Sequence, residues 1–216
     1  GTRSTGDAGQ AGGMSESNLL RLDHELADRL FEQRTILLGE PLEDHNTNRL
    51  CTALLVLSSL DPKADIRFLI NSPGGSVPGM LAIRDCMRAI PNDVVTINLG
   101  MAYSAGQFLL SSGTRGRRFA MPHARVLLHQ GSAGIGGSAM DIAIQADDLR
   151  LTRDTVLACI AEDTGQPLAR IEADSRRDRW FSAAEAVAYG FVDHVLESVG
   201  DVLPGRSRTI GLGQTA

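Results

Sequence analysis

The sequence has little of what would staple a small secreted scaffold or carry a chain into a membrane. Its three cysteines in 216 residues, Cys51, Cys86 and Cys159, each sit inside an apolar helical pattern with no CxxC spacing. That argues against a disulfide framework and against a zinc site, and leaves buried reduced thiols. Aromatic residues make up only 4 % of the chain, so the core has to be aliphatic. No run approaches the about 18 apolar residues of a membrane span. The N-terminus lacks the basic then apolar layout of a signal peptide, and the reading is cytoplasmic. Lys and Arg number 21 against 26 Asp and Glu, a formal net charge of -5. No basic face is available to neutralise phosphates, so nucleic acid is not an expected partner. The one Arg-dense stretch, Arg176, Arg177 and Arg179, is interrupted by Asp178.

What is present fits one α/β domain. Residues 1–18 are Gly, Ser, Thr and Ala without periodic apolar positions and read as a disordered tail. The folded domain is expected over 19–197, and 198–216 reads as a flexible C-terminal tail. Short apolar runs predict strands at 35–38, 66–70, 94–99, 119–121, 125–129 and 191–195. Helices are expected at 44–60, 77–90 and 104–112, followed by a long one from the cap Ser138 to Thr164 with Asp141 in a capping box. A second box, Ser182 with Glu185, opens a short helix ended by Gly190. A Gly-rich link, 131–137, precedes the long helix.

Four places invite chemistry. In Gly100-Met-Ala-Tyr-Ser-Ala-Gly106 a serine stands between a buried strand and an apolar helix. Unpaired N–H groups and the helix dipole there would favour an oxyanion beside Ser104. The pattern misses GxSxG by Ala102, and a plain N-cap serine fits it equally. Among His24, His45, His123, His129 and His194, His129 stands apart because it ends an apolar strand just before the Gly-rich link. A structural strand-end histidine has the same look. A carboxylate is needed to hold the imidazole in one tautomer, and Asp178, Asp193 and Asp163 all qualify. Lastly, the glycines of Asn71-Ser-Pro-Gly-Gly75 would let backbone N–H groups approach a carbonyl closely, although a strand-ending turn needs them too.

Taken in order, Asn71-Ser-Pro-Gly-Gly75, Gly100-Met-Ala-Tyr-Ser-Ala-Gly-Gln-Phe-Leu-Leu110, Arg125-Val-Leu-Leu-His-Gln130 and Arg177-Asp-Arg-Trp-Phe-Ser-Ala-Ala-Glu-Ala186 resemble the successive motifs of ClpP, the proteolytic component of Clp proteases. The likeness runs from about residue 30 to 195. It implies an α/β fold of repeated ββα units, shared with the crotonases, in which the long helix serves as a handle. It implies a serine endopeptidase acting on unfolded proteins and peptides, with Ser104 as nucleophile, His129 as base, Asp178 as its orienting partner, and the N–H groups of Gly75 and Ala105 as the oxyanion hole. The resemblance also implies homo- or hetero-oligomers of stacked seven-membered rings and a ring-shaped ATPase unfoldase as partner. ATP would be used by that partner, and no metal or cofactor is expected in this chain.

The sequence departs from the family pattern in three places. Gly131 follows His129-Gln130 where the family has Pro. Arg67, Leu69 and Ala89 fall where a docking cleft for the ATPase is commonly aromatic. Arg176 replaces an acid two residues before the aspartate, so the contact between rings is expected to differ. Two other readings are a weakly active or non-catalytic partner subunit of a mixed ring, and an acyl-CoA enzyme of the crotonase fold. The combination of Ser104, His129 and Asp178 argues against the second.

Overall fold

The computed structural model describes residues 15–131 and 136–198, together with Gly200 and Val202. In chain order the elements are α1 (Glu16–Glu32), β1 (Thr35–Leu38), α2 (Asp44–Leu60), β2 (Ile66–Ser72), α3 (Val77–Ala89), β3 (Val94–Tyr103) and α4 (Ala105–Ser111). They continue with β4 (Arg118–Ala120), β5 (Arg125–Leu128), α5 (Ala139–Thr164), α6 (Leu168–Ser175), β6 (Arg179–Ser182), α7 (Ala183–Tyr189) and β7 (His194–Val195). This is the expected α/β class with its long helix.

Strands β1, β2, β3, β4 and β7 lie side by side in that order, all parallel. Such a sheet needs cover on both faces, and alternation along β2 and β3 supplies two different faces. Ile66, Phe68 and Ile70 are fully buried in the main core with Leu54 and Leu57 of α2 and Ile83 of α3. The alternate positions Val95 and Ile97 form a second, smaller cluster with Leu196 just past β7, against which Leu69, Phe119 and Val202 pack. Arg67 belongs to that second face and is buried. Its guanidinium donates to Gln33 O at 2.9 Å and to Val202 O. The Arg67 charge is therefore held inside the chain, and a residue of the expected C-terminal tail packs on the sheet.

Most helix ends follow local rules. Glu43 and Asn46 cap α2 reciprocally, Ser138 and Asp141 do so for α5, and Ser182 and Glu185 for α7. Ser76 accepts from Gly79 N at the start of α3. Arg34 closes the end of α2 by donating to Leu57 O, Asp61 O, Ala64 O and Asp65 O.

Several expectations need correction. Residues 1–14 of the expected tail lie outside the described residues, but Ser15 caps α1, so residues 16–18 are helical. This helix has no buried residue, and Leu19, Leu20, Leu22 and Leu26 are exposed on it. Helix α6 and strand β6 were not expected at all. Strand β3 continues to Tyr103 because, past Asn98, it exchanges β4 for β5 as its neighbour. The last strand shrinks to His194–Val195, with Phe191 and Val192 buried before it. The link 131–137 lies largely outside the described residues. The cysteines are free but only half-buried. Burial and neighbouring Cys86 push the Cys51 thiol up to about 12, so it stays protonated near neutrality. Among the described residues no helix is long and apolar enough to cross a membrane.

Candidate active site

The site is assembled at the end of β3, where β5 has replaced β4 as its parallel neighbour. Tyr103, the last residue of β3, pairs with Leu127 of β5, and Ser104 N then donates to Leu127 O at 3.1 Å. Ser104 has φ 56° and ψ −116°, a conformation a non-glycine residue rarely holds without support. The chain turns sharply there from strand to helix, which lifts the side chain clear of both, as in a nucleophile elbow. Its hydroxyl makes no capping bond to α4, so the plain N-cap reading does not hold.

Strand β5 also delivers His129. Its antiparallel partner is β6, in the register Arg125↔Ser182, Val126↔Phe181, Leu127↔Trp180 and Leu128↔Arg179. One step further along this ladder sets His129 opposite Asp178, and Nδ1 lies 3.2 Å from Asp178 Oδ1. An ionised carboxylate only accepts, so a neutral imidazole in this pair carries its proton on Nδ1 and leaves the Nε2 lone pair free. The side chains are 30 % and 63 % exposed, an open pair rather than a buried one. Tyr103 and Trp180 pack edge to face at 4.9 Å and tie β6 to the end of β3.

The other two carboxylates are used elsewhere. Asp163 is buried and accepts from Arg84, Arg88 and Ser112 Oγ. Asp193 binds Arg118 through both oxygens, at 2.6 and 2.9 Å. Neither meets His129. Of the remaining histidines, His45 lies beside Glu40 and Glu43, and His194 packs at a tilt against Phe119.

The turn 71–75 packs directly against the serine. A Cβ on Gly74 would come within 2.7 Å of Ser104 Cβ and of Tyr103 O, and one on Gly75 within 2.1 Å of Leu42 O. Both glycines have positive φ, at 105° and 144°. Only residues without a side chain allow this approach. Leu42 N donates to Gly74 O and Ser76 N to Leu42 O, which fixes the turn on either side of Gly75. Among the described residues neither Gly75 N nor Ala105 N donates to another protein group.

Ser104 and His129 share one wall of a cavity of about 580 Å³. The rest of it is mostly apolar, with Met80 from α3, Phe108 from α4, Leu128 from β5 and Leu149 and Val156 from α5. That volume is within the range of ordinary ligand pockets, about 300 to 1,000 Å³. Sequence reasoning missed the share of α3 and α5 in this wall, which only the packing of distant elements creates. It also missed Gln130 and Ser175, which line the cavity beside His129 and are hydrogen-bonded to each other.

Known proteins resemble this chain along most of its length. The Clp protease family model matches residues 21–199. ATP-dependent Clp protease proteolytic subunit 3 of Streptomyces coelicolor is 53 % identical over 188 residues, covering 87 % of each chain. Proteolytic subunit 2 of Corynebacterium diphtheriae is 51 % identical, over 83 % of this chain and 90 % of its own. Proteolytic subunit 1 of Mycobacterium tuberculosis is 50 % identical, over 84 % and 91 %. With the family model spanning most of the folded residues and relatives at about half identity over nearly their whole length, this chain belongs to the Clp protease family.

Proposed function

We propose that the chain is a serine endopeptidase subunit in which Ser104, His129 and Asp178 act as a triad. The observation that carries this reading is the pairing of His129 Nδ1 with Asp178 Oδ1 at 3.2 Å, beside a strained Ser104 in the same cavity. Ser104 Oγ attacks the scissile carbonyl carbon while His129 Nε2 takes its proton. The carbonyl oxygen becomes an oxyanion and receives N–H bonds from Gly75 and Ala105. On collapse, the C–N bond breaks, and His129 returns the proton to the leaving amine. Water then repeats the sequence on the acyl-enzyme, releasing the acid and restoring Ser104. Asp178 holds the imidazole in its Nδ1–H form and stabilises it when charged. Among the described residues no hydrogen bond joins Ser104 Oγ to His129, and such contacts often tighten only with substrate in place.

The apolar wall suits a large apolar side chain next to the scissile bond, and an extended peptide is the natural substrate. Assembly follows the same family logic. Leu19, Leu20, Leu22 and Leu26 on α1, and Met140, Ile144 and Leu151 on α5, are exposed apolar residues that stacked seven-membered rings would cover. The relatives' names call the protease ATP-dependent, which supports a ring ATPase as partner and the use of ATP there rather than here. Across the rings, the basic cluster is weaker than its composition suggests. Arg179 pairs with Asp174, and Arg176 lies 3.8 Å from Glu172.

The direct test is incubation of the pure protein with a fluorophosphonate and mass mapping of the adduct. Labelling at Ser104, lost in His129→Ala, is expected. An unlabelled Ser104 in protein that hydrolyses peptides would overturn the assignment.

A further inference from the structure

The Asp178 carboxylate is well exposed and His129 is nearly a third exposed, and an open pair of this kind contributes little by itself. Something else has to keep the two side chains in register. On one side it is the β5–β6 ladder, which ends at Leu128↔Arg179. The other side is held by the next residue along, Gln130. Its backbone N donates to Ser175 O at 2.9 Å, and its side-chain Nε2 donates to Ser175 Oγ at 3.1 Å. Ser175 is 2 % exposed, and its hydroxyl in turn donates to Glu172 O at 3.1 Å, so its position at the end of α6 is fully specified.

His129 and Asp178 thus sit inside a closed loop, with the ladder at one end and the Gln130–Ser175 contacts at the other. Among the described residues those are the hydrogen bonds Gln130 makes. Beyond it Gly131 adds no restraint, with nothing within 4 Å of where a Cβ would stand. We propose that Ser175 and Gln130 form a clamp that holds Asp178 against His129, which makes Ser175 a positioning residue for peptide hydrolysis. The proposal rests on the triad assigned above. Ser175 acts through the backbone of residues 176–178 rather than on the substrate, and what it secures is the geometry of the base.

A displaced base costs turnover without weakening substrate binding, on the order of tenfold to a hundredfold for a shift of about an ångström. Steady-state kinetics on a fluorogenic apolar peptide should show Ser175→Ala lowering kcat by that factor with KM unchanged. Ser175→Thr, which keeps the hydroxyl, should restore most of it. Gln130→Ala should match Ser175→Ala and carries the test if the serine variant does not fold. In an Asp178→Asn background, Ser175→Ala should cost nothing more, because the contact it protects is already gone. Unchanged kcat, a rise in KM alone, or a loss that multiplies fully with Asp178→Asn would overturn the clamp while leaving the triad standing. Absence of both turnover and fluorophosphonate labelling in the unmodified protein would overturn the triad and the clamp's role with it.

Discussion

Helices α4 and α5 face each other across the cavity and are held by opposite means. Every residue of α4, from Ala105 to Ser111, is buried, whereas in the 26 residues of α5 only Leu157, Ile160 and Asp163 are. Seven residues are too few to form a stable helix in water, and no side chain caps the start of α4. It exists because the core around Phe108, Leu109 and Leu110 closes on it. Helix α5 carries its own instructions, a reciprocal Ser138–Asp141 cap and a left-handed Gly165 at its end. The element that presents the proposed nucleophile is thus the one that cannot move without the core, while the helix forming the opposite wall is anchored only at its C-terminal end. The two meet at Asp163, which accepts from Ser112 Oγ just past α4 and from Arg84 and Arg88 of α3.

The largest expected effect separates chemistry from structure in α4. Because the Ser104 hydroxyl makes no capping bond, Ser104→Ala should leave the melting temperature unchanged. Peptide turnover should fall by a factor on the order of 10⁶, leaving only oxyanion and binding contributions. Retained turnover would break the link between the strained turn and catalysis.

Next in size is the shared anchor. Asp163→Ala leaves the buried Arg84 with only the exposed Glu162 as an acidic partner, and losing one partner of a buried pair costs up to about 3–5 kcal/mol. Urea unfolding should show that loss. Because Asp163 joins both helices, a single cooperative transition at lower urea is expected. A separate early melting of α5 would mean the helices are not coupled.

Acid should weaken the extension of this anchor. Arg118 donates to Ser111 O and to Asp163 O, and its guanidinium is fixed by Asp193. Burial alone would raise the Asp193 carboxyl, but the hydrogen bonds and charge of Arg118 hold it below its ordinary value of 3.8. A depressed carboxylate stabilises fully above its unfolded pKa and loses that contribution as pH falls through the lower folded value. The difference in urea midpoint between the unmodified protein and Asp193→Asn should therefore narrow progressively as pH falls below about 5. A difference that stays constant would remove Asp193 from the ionic network.

The smallest effect belongs to the free end of α5. Ser138→Ala removes one cap and should cost about 1 kcal/mol of local helix stability. Hydrogen exchange should quicken over 139–146 and stay unchanged in α4. Faster exchange in α4 as well would show that the two helices respond together along their whole length.

Which parts of this were legible in advance follows the same division. The caps of α5 and α7 and the helix at 44–60 rest on neighbours a few residues away, and the strands at 35–38 and 66–70 stand out as short apolar runs, so a reading of the chain finds them. Helix α1 escaped although its signal is local, Leu19, Leu22, Leu26 and Leu30 at helical spacing behind the cap Ser15. Strand β6 escaped because Arg179-Trp-Phe-Ser182 becomes a strand only through its pairing with β5. The candidate residues Ser104, His129 and Asp178 were singled out by local position and by family resemblance together. Local position by itself could not separate Asp178 from Asp163 and Asp193, since carboxylates are distinguished by what they meet.

By itself, then, the sequence determined the element types that local hydrogen bonds and apolar periodicity specify, the aliphatic core, and a family whose motifs stand in order along the chain. Tertiary structure alone decided that β3 changes neighbours after Asn98 and so brings Ser104 to β5, and that the β5–β6 register sets His129 opposite Asp178. It alone also decided that Gly74 lies against the serine, and that Arg67 is spent on Gln33 and Val202. The physical reason is common to all four. Each is a contact between segments tens of residues apart, where the free energy comes from burial and pairing that no short window of sequence contains.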